Sequence, residues 1–170
     1  MSIDPEVLAD AKKSLRIFDV YFRDEKVTVD PELTPHFWPD FDRSLFKMVT
    51  RVLHDFEVQS HDEATGESRP VRFLEIEFEG SVRCLAELPG PDKEERELLA
   101  MEVSLGLLYE VSQACSDESL EEFVRVNVPY HAVPYWREHV HGVCAKRRFR
   151  PVTVPMYNAA RANEAVKVTE

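Results

Sequence analysis

The chain has 170 residues, of which 44% are hydrophobic, enough to fill the core of the single domain that we expect across residues 1–170. Its 32 acidic and 21 basic residues give a net charge of −11, which argues against nucleic acid and anionic membranes as main partners and favours a basic partner. The apolar runs are too short for a transmembrane helix and residues 1–6 lack signal-peptide character, so we expect a cytoplasmic protein without membrane insertion.

The first predicted elements are a helix and a strand. Residues 4–16 place apolar side chains at helical spacing, which predicts a short amphipathic helix within an N-terminal extension, residues 1–16. Residues 17–29 alternate apolar and polar side chains, which predicts a strand. The alternation changes parity after Phe22, so we expect a β-bulge near Asp24 and Glu25.

Three more strands are predicted before residue 113. Residues 31–42 contain three prolines and predict a connection rather than a strand. Alternation then predicts strands over residues 46–58, 73–88 and 99–111, and Gly80 predicts a kink in the second of these. We expect an antiparallel sheet over residues 17–113 with one apolar face and one mostly acidic, solvated face.

Helices are predicted to cover the apolar face. Ser119 and Glu122 have the spacing of a capping box and predict a short helix over residues 116–123. A second, longer helix is predicted over residues 132–148, with Pro134 in its first turn. Residues 149–170 are predicted to form an extended segment and a polar tail. The expected fold class is α+β, a four-stranded antiparallel sheet with C-terminal helices packed on one face.

The sequence offers little that indicates catalysis or metal binding. His141 and Cys144 share one helical face, but His139 lies on another, so the ligands are too few for zinc. The five glycines form no phosphate-binding motif, and the three cysteines no disulfide framework. Glu75 and Glu77 point to the same side of a strand, and we expect them to be part of a solvated surface rather than a catalytic pair. We therefore predict no cofactor, no metal and no catalytic residue.

Several short motifs together resemble one family. VPYHAVPYWREHV (residues 128–140) resembles the segment that enters the long helix of the SecB family of export chaperones. PVTVPM (151–156) resembles the family's segment after that helix, and MEVSLGLLYEV (101–111) its last strand. TPHFW (34–38) resembles its proline–histidine–aromatic loop. The resemblance covers about residues 17–156.

The resemblance implies a function in protein export. The family's members are homotetramers, dimers of dimers, that hold unfolded preproteins without ATP and deliver them to the SecA motor. The implied client-binding groove contains Phe37, Trp38, Phe41 and Tyr135.

The family's SecA contact is the acidic face of the sheet. Glu102 matches one acidic position of that contact, and Asp24 and Glu25 lie where another falls, although Lys26 is a candidate for the same position. Arg137 and Glu138 are expected to form ion pairs at or near a helix interface.

Two alternatives remain open at the level of sequence. Relatives with this fold serve toxin–antitoxin systems, so the chain is also interpreted as a dedicated chaperone for one client such as an antitoxin. A small thioesterase-like enzyme is the other alternative. It requires a carboxylate that faces a closed cleft, whereas the polar residues here alternate outward.

Overall fold

The computed structural model describes residues 4–32, 40–61, 66–87 and 95–158. Its helices are α1 (Pro5–Ser14) and α2 (Asp117–Arg147), and its strands are β1 (Leu15–Val29), β2 (Arg43–His61), β3 (Ser68–Glu87) and β4 (Glu95–Val111). The strands form one antiparallel sheet in the order β1-β4-β3-β2. The predicted α+β class is therefore confirmed. β1 and β2, consecutive in the chain, lie at opposite edges of the sheet.

Helix α1 begins at a capped N-terminus. The Asp4 carboxylate accepts hydrogen bonds from the backbone N–H groups of Glu6 at 3.0 Å and Val7 at 3.3 Å, which satisfies two of the free N–H groups of the first turn. The helix buries Leu8 and Ala11 and packs against α2. Neither helix of the described segments has the length and apolar character needed to cross a membrane.

The C-terminal helical region is one helix, so its predicted division into two helices is wrong. Ser116 is the N-cap and accepts a hydrogen bond from the Ser119 N–H at 3.1 Å, whereas Ser119 itself is helical. Pro129 and Pro134 both lie inside α2. A proline inside a helix has no N–H group, so the carbonyl four residues earlier lacks its usual hydrogen-bond donor. Because of this energetic cost, the sequence predicts a break in the helix.

A side chain from beyond the helix compensates for Pro129. The carbonyl that receives no hydrogen bond from Pro129 belongs to Arg125. The Tyr157 hydroxyl donates a hydrogen bond to this carbonyl at 3.1 Å. Tyr157 is half-buried, and burial raises the pKa of its hydroxyl, so it remains a donor at neutral pH. The segment after α2 therefore stabilises the proline-containing turn, which local sequence rules do not capture.

We expect Tyr157→Phe to lower the free energy of unfolding by about 1 kcal/mol, because it removes one hydrogen bond from a carbonyl that Pro129 leaves free. Tyr130→Phe is the control, since the Tyr130 side chain is exposed. Urea unfolding followed by circular dichroism measures both variants. Equal stabilities would show that the Tyr157 hydroxyl does not support the turn.

The face of the sheet that packs against α2, here the inner face, forms the core. Trp136 of α2 lies on Gly80 of β3, and its ring centroid is 5.7 Å from that of Phe78 and 6.4 Å from that of Phe46. The prediction that helical residues cover the apolar face is confirmed. The largest fully buried side chains include Ile76, Phe78, Val82, Leu99, Met101, Leu105, Leu107, Tyr109, Phe123, Val128 and Val140.

Bulges decide which side chains reach the opposite, outer face. The bulge predicted in β1 is present between Phe22 and Asp24, and a second, unpredicted irregularity lies between Ile17 and Asp19. Strand β2 has an unpredicted bulge between Val52 and His54. Each extra residue reverses the facing of the later residues in its strand.

The bulge in β2 changes which residues of that strand lie on the inner face. Phe56 pairs with Phe73 and Val58 with Val71, on the outer face, whereas Val52 pairs with Ile76 on the inner face. Uninterrupted alternation over residues 46–58 would place Phe56 and Val58 on the face of Phe46 and Met48, and the bulge shows that this is wrong.

Candidate functional site

The centre of the outer face is an ion-pair network rather than the solvated acidic surface that the sequence predicts. Glu75 and Glu77 on β3 are each only 7% exposed. Arg51 on β2 donates from Nε to Glu77 at 2.6 Å and from Nη2 to Glu79 at 2.7 Å. Arg23 on β1 contacts Glu75 from the other side. Cations from both edge strands therefore cover the acidic residues of a central strand.

A glycine on β4 lets side chains of β1 reach across to β3. Gly106 pairs with Tyr21 on one side and with Glu77 on the other. The Tyr21 ring lies where a Gly106 side chain would be, since an added Cβ would be 2.5 Å from the ring. From this position the Tyr21 hydroxyl donates a hydrogen bond to Glu75. This bond and burial raise the pKa of Tyr21, so its hydroxyl stays protonated.

The network keeps the Glu77 carboxylate ionised. Burial opposes ionisation of Glu77, but hydrogen bonds from Ser104, at 2.5 Å, and from Arg51 outweigh it, so the pKa of Glu77 lies below its usual value. A general acid needs a raised pKa and a free proton. The two carboxylates on one side of β3 thus have the chemistry of a structural network.

The acidic positions predicted for SecA border a depression of the outer face with a volume of about 360 Å³, which adjoins the network at Glu79 and Ser104. Asp24 and Glu102 both border it, as do Lys26 and Lys47. In the register, Lys26 of β1 is directly opposite Glu102 of β4, and none of these four residues forms an ion pair within the described ranges. The charged lining of the depression is Asp24, Glu25, Glu79 and Glu102 with Lys26 and Lys47, so acidic residues predominate here, as the sequence predicts for this face, and two lysines lie among them.

Glu25, the third predicted acidic residue, also borders the depression but directs its carboxylate elsewhere. Its Oε2 lies 3.5 Å from Nδ1 of His139 on α2, towards the inner face. The bulge between Phe22 and Asp24 reverses which face of the sheet the later side chains of β1 point to. The predicted set is therefore divided, with Asp24 and Glu102 on the outer face and Glu25 beside α2.

The predicted client-binding residues are spread over several segments. Phe37 and Trp38 lie outside the described residues. Phe41 is half-buried and packs against the core, and Tyr135 on α2 is 42% exposed. On the inner face of β1, Ile17 and Phe22 remain exposed, and the Phe22 ring packs against His139 of α2. Apolar surface is thus accessible on α2 and on the inner face of the β1 edge.

Arg137 and Glu138, predicted to form ion pairs at a helix interface, form none among the described residues. The Nη1 atom of Arg137 is buried without a hydrogen-bond partner in this part of the chain. The described residues also contain no group of three or more side chains placed to hold a metal ion.

Two histidines connect α2 to the sheet. Nδ1 of His131 is 2.9 Å from the hydroxyl of the buried Tyr109, and the His139 ring packs 5.4 Å from that of Phe22. Burial lowers the pKa of both histidines; the charge of Lys12 adds to this at His131, and Glu25 opposes it at His139. Both imidazoles are therefore neutral at pH 7.

We expect the protein to lose stability as the pH falls below 6.5, the usual pKa of histidine. The folded state binds the proton more weakly than the unfolded chain, so this stabilisation is complete above that pH and is lost towards the lower folded pKa. The measurement is the free energy of unfolding between pH 7.5 and about 5. His131→Gln and His139→Gln should each flatten the profile, whereas a matched control, the exposed His141→Gln, should not.

A feature that the sequence analysis missed is an aromatic row on the outer face. The ring of Phe18 on β1 is 5.2 Å from that of Phe73 on β3, which is 6.0 Å from that of Phe56 on β2. The missed bulges in β1 and β2 bring Phe18 and Phe56 to this face. The only sequence signal was the interruption of alternation near each bulge.

Comparison with known proteins rests on the fold. No protein-family model matches the sequence, and no curated protein sequence matches it. Among solved structures, the chain is similar to the Mycobacterium tuberculosis SecB-like chaperone Rv1957 in complex with a ChAD peptide from the HigA1 antitoxin Rv1956. The similarity covers 90% of this chain and 97% of that one, with a TM-score of 0.59 and 13% identity. The chain therefore has a SecB-like fold.

Proposed function

We propose that this protein is an ATP-independent chaperone that binds unfolded polypeptide segments through exposed apolar side chains. The observation that carries the proposal is the amount of apolar surface on both edge strands of a SecB-like fold. The exposed large apolar residues of the edge strands are Ile17, Phe18, Tyr21 and Phe22 on β1 and Leu45, Val49, Val52, Phe56 and Val58 on β2. Such surface on a folded chain is typical of binding sites.

Apolar burial supplies an affinity that needs no sequence code. It contributes about 25 cal/mol per Å² of apolar surface removed from water, and a partner that buries alternate side chains gains it whatever its sequence. Phe37, Trp38, Phe41 and Tyr135 are the proposed client contacts, and of these Tyr135 lies on α2. The proposal assigns no catalytic residue, which agrees with the ion-paired state of Glu75 and Glu77.

The proposal has two versions, which differ in the range of clients that the protein binds. In the first, clients are unfolded preproteins in the cytoplasm, delivered to SecA. In the second, the chain is dedicated to one client such as an antitoxin, and the similar Rv1957 structure, which holds an antitoxin peptide, favours it.

Aggregation assays separate the two versions. The purified protein, in molar excess and without ATP, is mixed with several unrelated denatured proteins, and light scattering is followed. Suppression for most of them supports the general chaperone. Suppression for none, with binding of one partner, supports the dedicated one. Suppression for none, with no partner bound, would contradict both versions.

SecA delivery is proposed to use Asp24 and Glu102 in the outer depression. The neighbouring Lys26 and Lys47 oppose a basic partner there. Lys26→Glu should therefore tighten binding of SecA, and Glu102→Lys should weaken it, in a direct binding assay at low salt. If the two variants bound SecA with equal affinity, the depression would not be the SecA contact.

The resemblance also leads us to propose a homotetramer, a dimer of dimers. The exposed Ile17 and Phe22 on the inner face of the β1 edge are surfaces that a second copy would cover, which leaves the other exposed apolar residues of the edge strands for clients. Light scattering coupled to size exclusion measures the mass, and Phe22→Asp should reduce it. A monomeric wild type would contradict this part of the proposal.

A further inference from the structure

The residue before β2 ends the pairing of that strand with β3. The register between the two strands begins at the pair Arg43–Leu85. Just before it, the Asp42 N–H donates to the Leu85 carbonyl at 2.9 Å, and the Asp42 carboxylate accepts a hydrogen bond from the Glu87 N–H at 2.5 Å. In a continued register Glu87 would be opposite Phe41. A side chain of residue 42 thus accepts the N–H group that faces the position of residue 41.

The end of the pairing changes the face on which Phe41 lies. In the first part of β2, odd-numbered side chains such as Val49, which borders the outer depression, point to the outer face. Even-numbered ones such as Phe46, which contacts Trp136, point to the inner face. A continued strand would place Phe41 on the outer face. Phe41 is instead half-buried and packs against the core of the inner face.

A second aspartate attaches the other side of Phe41. Asp40 forms an ion pair with Arg150, which follows α2. Both of these side chains are more than half exposed, and exposed ion pairs contribute little to stability. A hydrogen bond from a backbone N–H to a carboxylate is stronger than one between neutral groups. Asp42 is therefore the stronger of the two attachments.

The connection between β1 and β2 is also fixed at its beginning. The buried Asp30 carboxylate accepts a hydrogen bond from Arg96 of β4 at 2.9 Å. Asp30 thus binds the start of β4 and Asp42 the end of β3, and these two strands are neighbours in the sheet. Three of the four proposed client contacts lie between the two aspartates in the sequence.

A ring that is held in place before a client arrives binds it at a lower cost. When only a fraction of the molecules has the ring in the competent position, the apparent affinity falls by that fraction. Ordering a side chain or a loop on binding also costs free energy. An attachment that favours one position of Phe41 therefore strengthens client binding without touching the client.

We propose that Asp42 is a positioning residue for client binding, which turns Phe41 to the inner face and holds it there before a client arrives. This inference rests on the proposed chaperone function and adds to it a residue that contacts no client. The carboxylate acts by accepting the Glu87 N–H, so an asparagine at the same position keeps the effect.

The position of Phe41 is measured first, without a client. Para-trifluoromethylphenylalanine at position 41 reports its surroundings by fluorine NMR. Asp42→Ala should move the resonance towards that of the urea-unfolded protein, whereas Asp42→Asn should leave it in place. Asp42 is exposed, so neither variant removes a core residue. Glu97→Ala, which removes an ion pair with Arg83 of β3, is the matched control and should not move the resonance.

Client affinity is measured next, by fluorescence anisotropy of labelled lysozyme that is kept unfolded by reduction and carboxymethylation. Asp42→Ala should weaken binding about 5-fold, the factor that one hydrogen bond of average net strength supplies. Asp42→Asn and Glu97→Ala should bind as the wild type does. In a Phe41→Ala background, Asp42→Ala should cause no further loss, because Asp42 acts only through this ring.

Three results overturn the inference alone when the wild type binds the unfolded lysozyme. The first is an unchanged fluorine resonance in Asp42→Ala, and the second is equal binding by Asp42→Ala and the wild type. The third is a loss in Asp42→Ala that persists in the Phe41→Ala background, since it would show that Asp42 does not act through Phe41.

Failure of the proposed function gives a different result. A wild type that binds no unfolded lysozyme, suppresses no aggregation and binds no dedicated partner overturns that function and the inference with it. If the wild type binds only one dedicated partner, that partner replaces lysozyme in the same comparison of variants.

Discussion

Trp136→Ala is expected to destabilise the protein by about 3–5 kcal/mol, the range for removing a large aromatic side chain from a core. Trp136 is 3% exposed and contacts Phe78, Phe46 and the backbone at Gly80. Its loss leaves a cavity between α2 and the middle of the sheet, which Gly80 cannot fill because it has no side chain. Urea unfolding monitored by circular dichroism gives the free energy.

The neighbouring Tyr135→Ala is the control for Trp136→Ala. Tyr135 is 42% exposed, so its truncation should change stability by less than about 0.5 kcal/mol. The same variant tests client binding, because Tyr135 is a proposed client contact. A loss below about 1 kcal/mol in Trp136→Ala would show that this contact does not hold α2 on the sheet.

Gly80→Val should destabilise the protein by about 3 kcal/mol, at the upper end of the usual cost of overpacking. A Cβ at this position would be 2.7 Å from the Trp136 ring, and the ring is held on its other sides by Phe78 and Phe46. The two residues cannot both keep their places. Thermal and urea unfolding of the variant measure the cost.

Two glycines serve as controls for Gly80→Val. Gly106→Val meets the Tyr21 ring, but that ring is 37% exposed and can swing into solvent, so a smaller loss is expected together with the loss of the Tyr21–Glu75 hydrogen bond. Gly142 in α2 has no neighbour within 4 Å of an added Cβ, and Gly142→Ala should raise stability by about 0.5–1 kcal/mol.

A double-mutant cycle isolates the contact between Gly80 and Trp136. In the Trp136→Ala background, Gly80→Val should cost much less than in the wild type, because the valine can enter the space that the indole leaves. Additive losses would show that Gly80→Val acts through the strand itself and not through Trp136.

The contact between Gly80 and Trp136 also shows how much can be predicted from the sequence. The glycine is visible as an interruption in a strand, and a kink is the local interpretation. Its role depends on a residue 56 positions later in the chain, which no local pattern connects to it. Gly106 and Tyr21 are a second case, in which a glycine of one strand provides room for the side chain of its neighbour.

The candidate site shows the same division. Alternation placed Glu75 and Glu77 on one side of β3, and that placement agrees with the register. Their burial came from Arg51 and Arg23 on two other strands. Whether a row of glutamates is solvated or paired depends on which strands flank it, and strand order is set by packing over long distances in the chain.

The sequence by itself determined the type of nearly every element of this protein. Alternation with period two identified four strands, and the parity change after Phe22 located one bulge, because side-chain direction in a strand depends on local backbone geometry. The Pro5–Ser14 helix followed from apolar spacing in the same local way, and the structure adds its Asp4 cap.

Only the tertiary structure decided the order β1-β4-β3-β2, the continuity of α2 through Pro129, and the exposure of Phe18 and Phe56. Each depends on partners distant in the chain: a paired strand, the Tyr157 hydroxyl, or a bulge that the neighbouring strand accommodates. Such contacts contribute about as much free energy as local preferences do and can therefore override them. The surfaces proposed to bind clients are built largely from these long-range contacts.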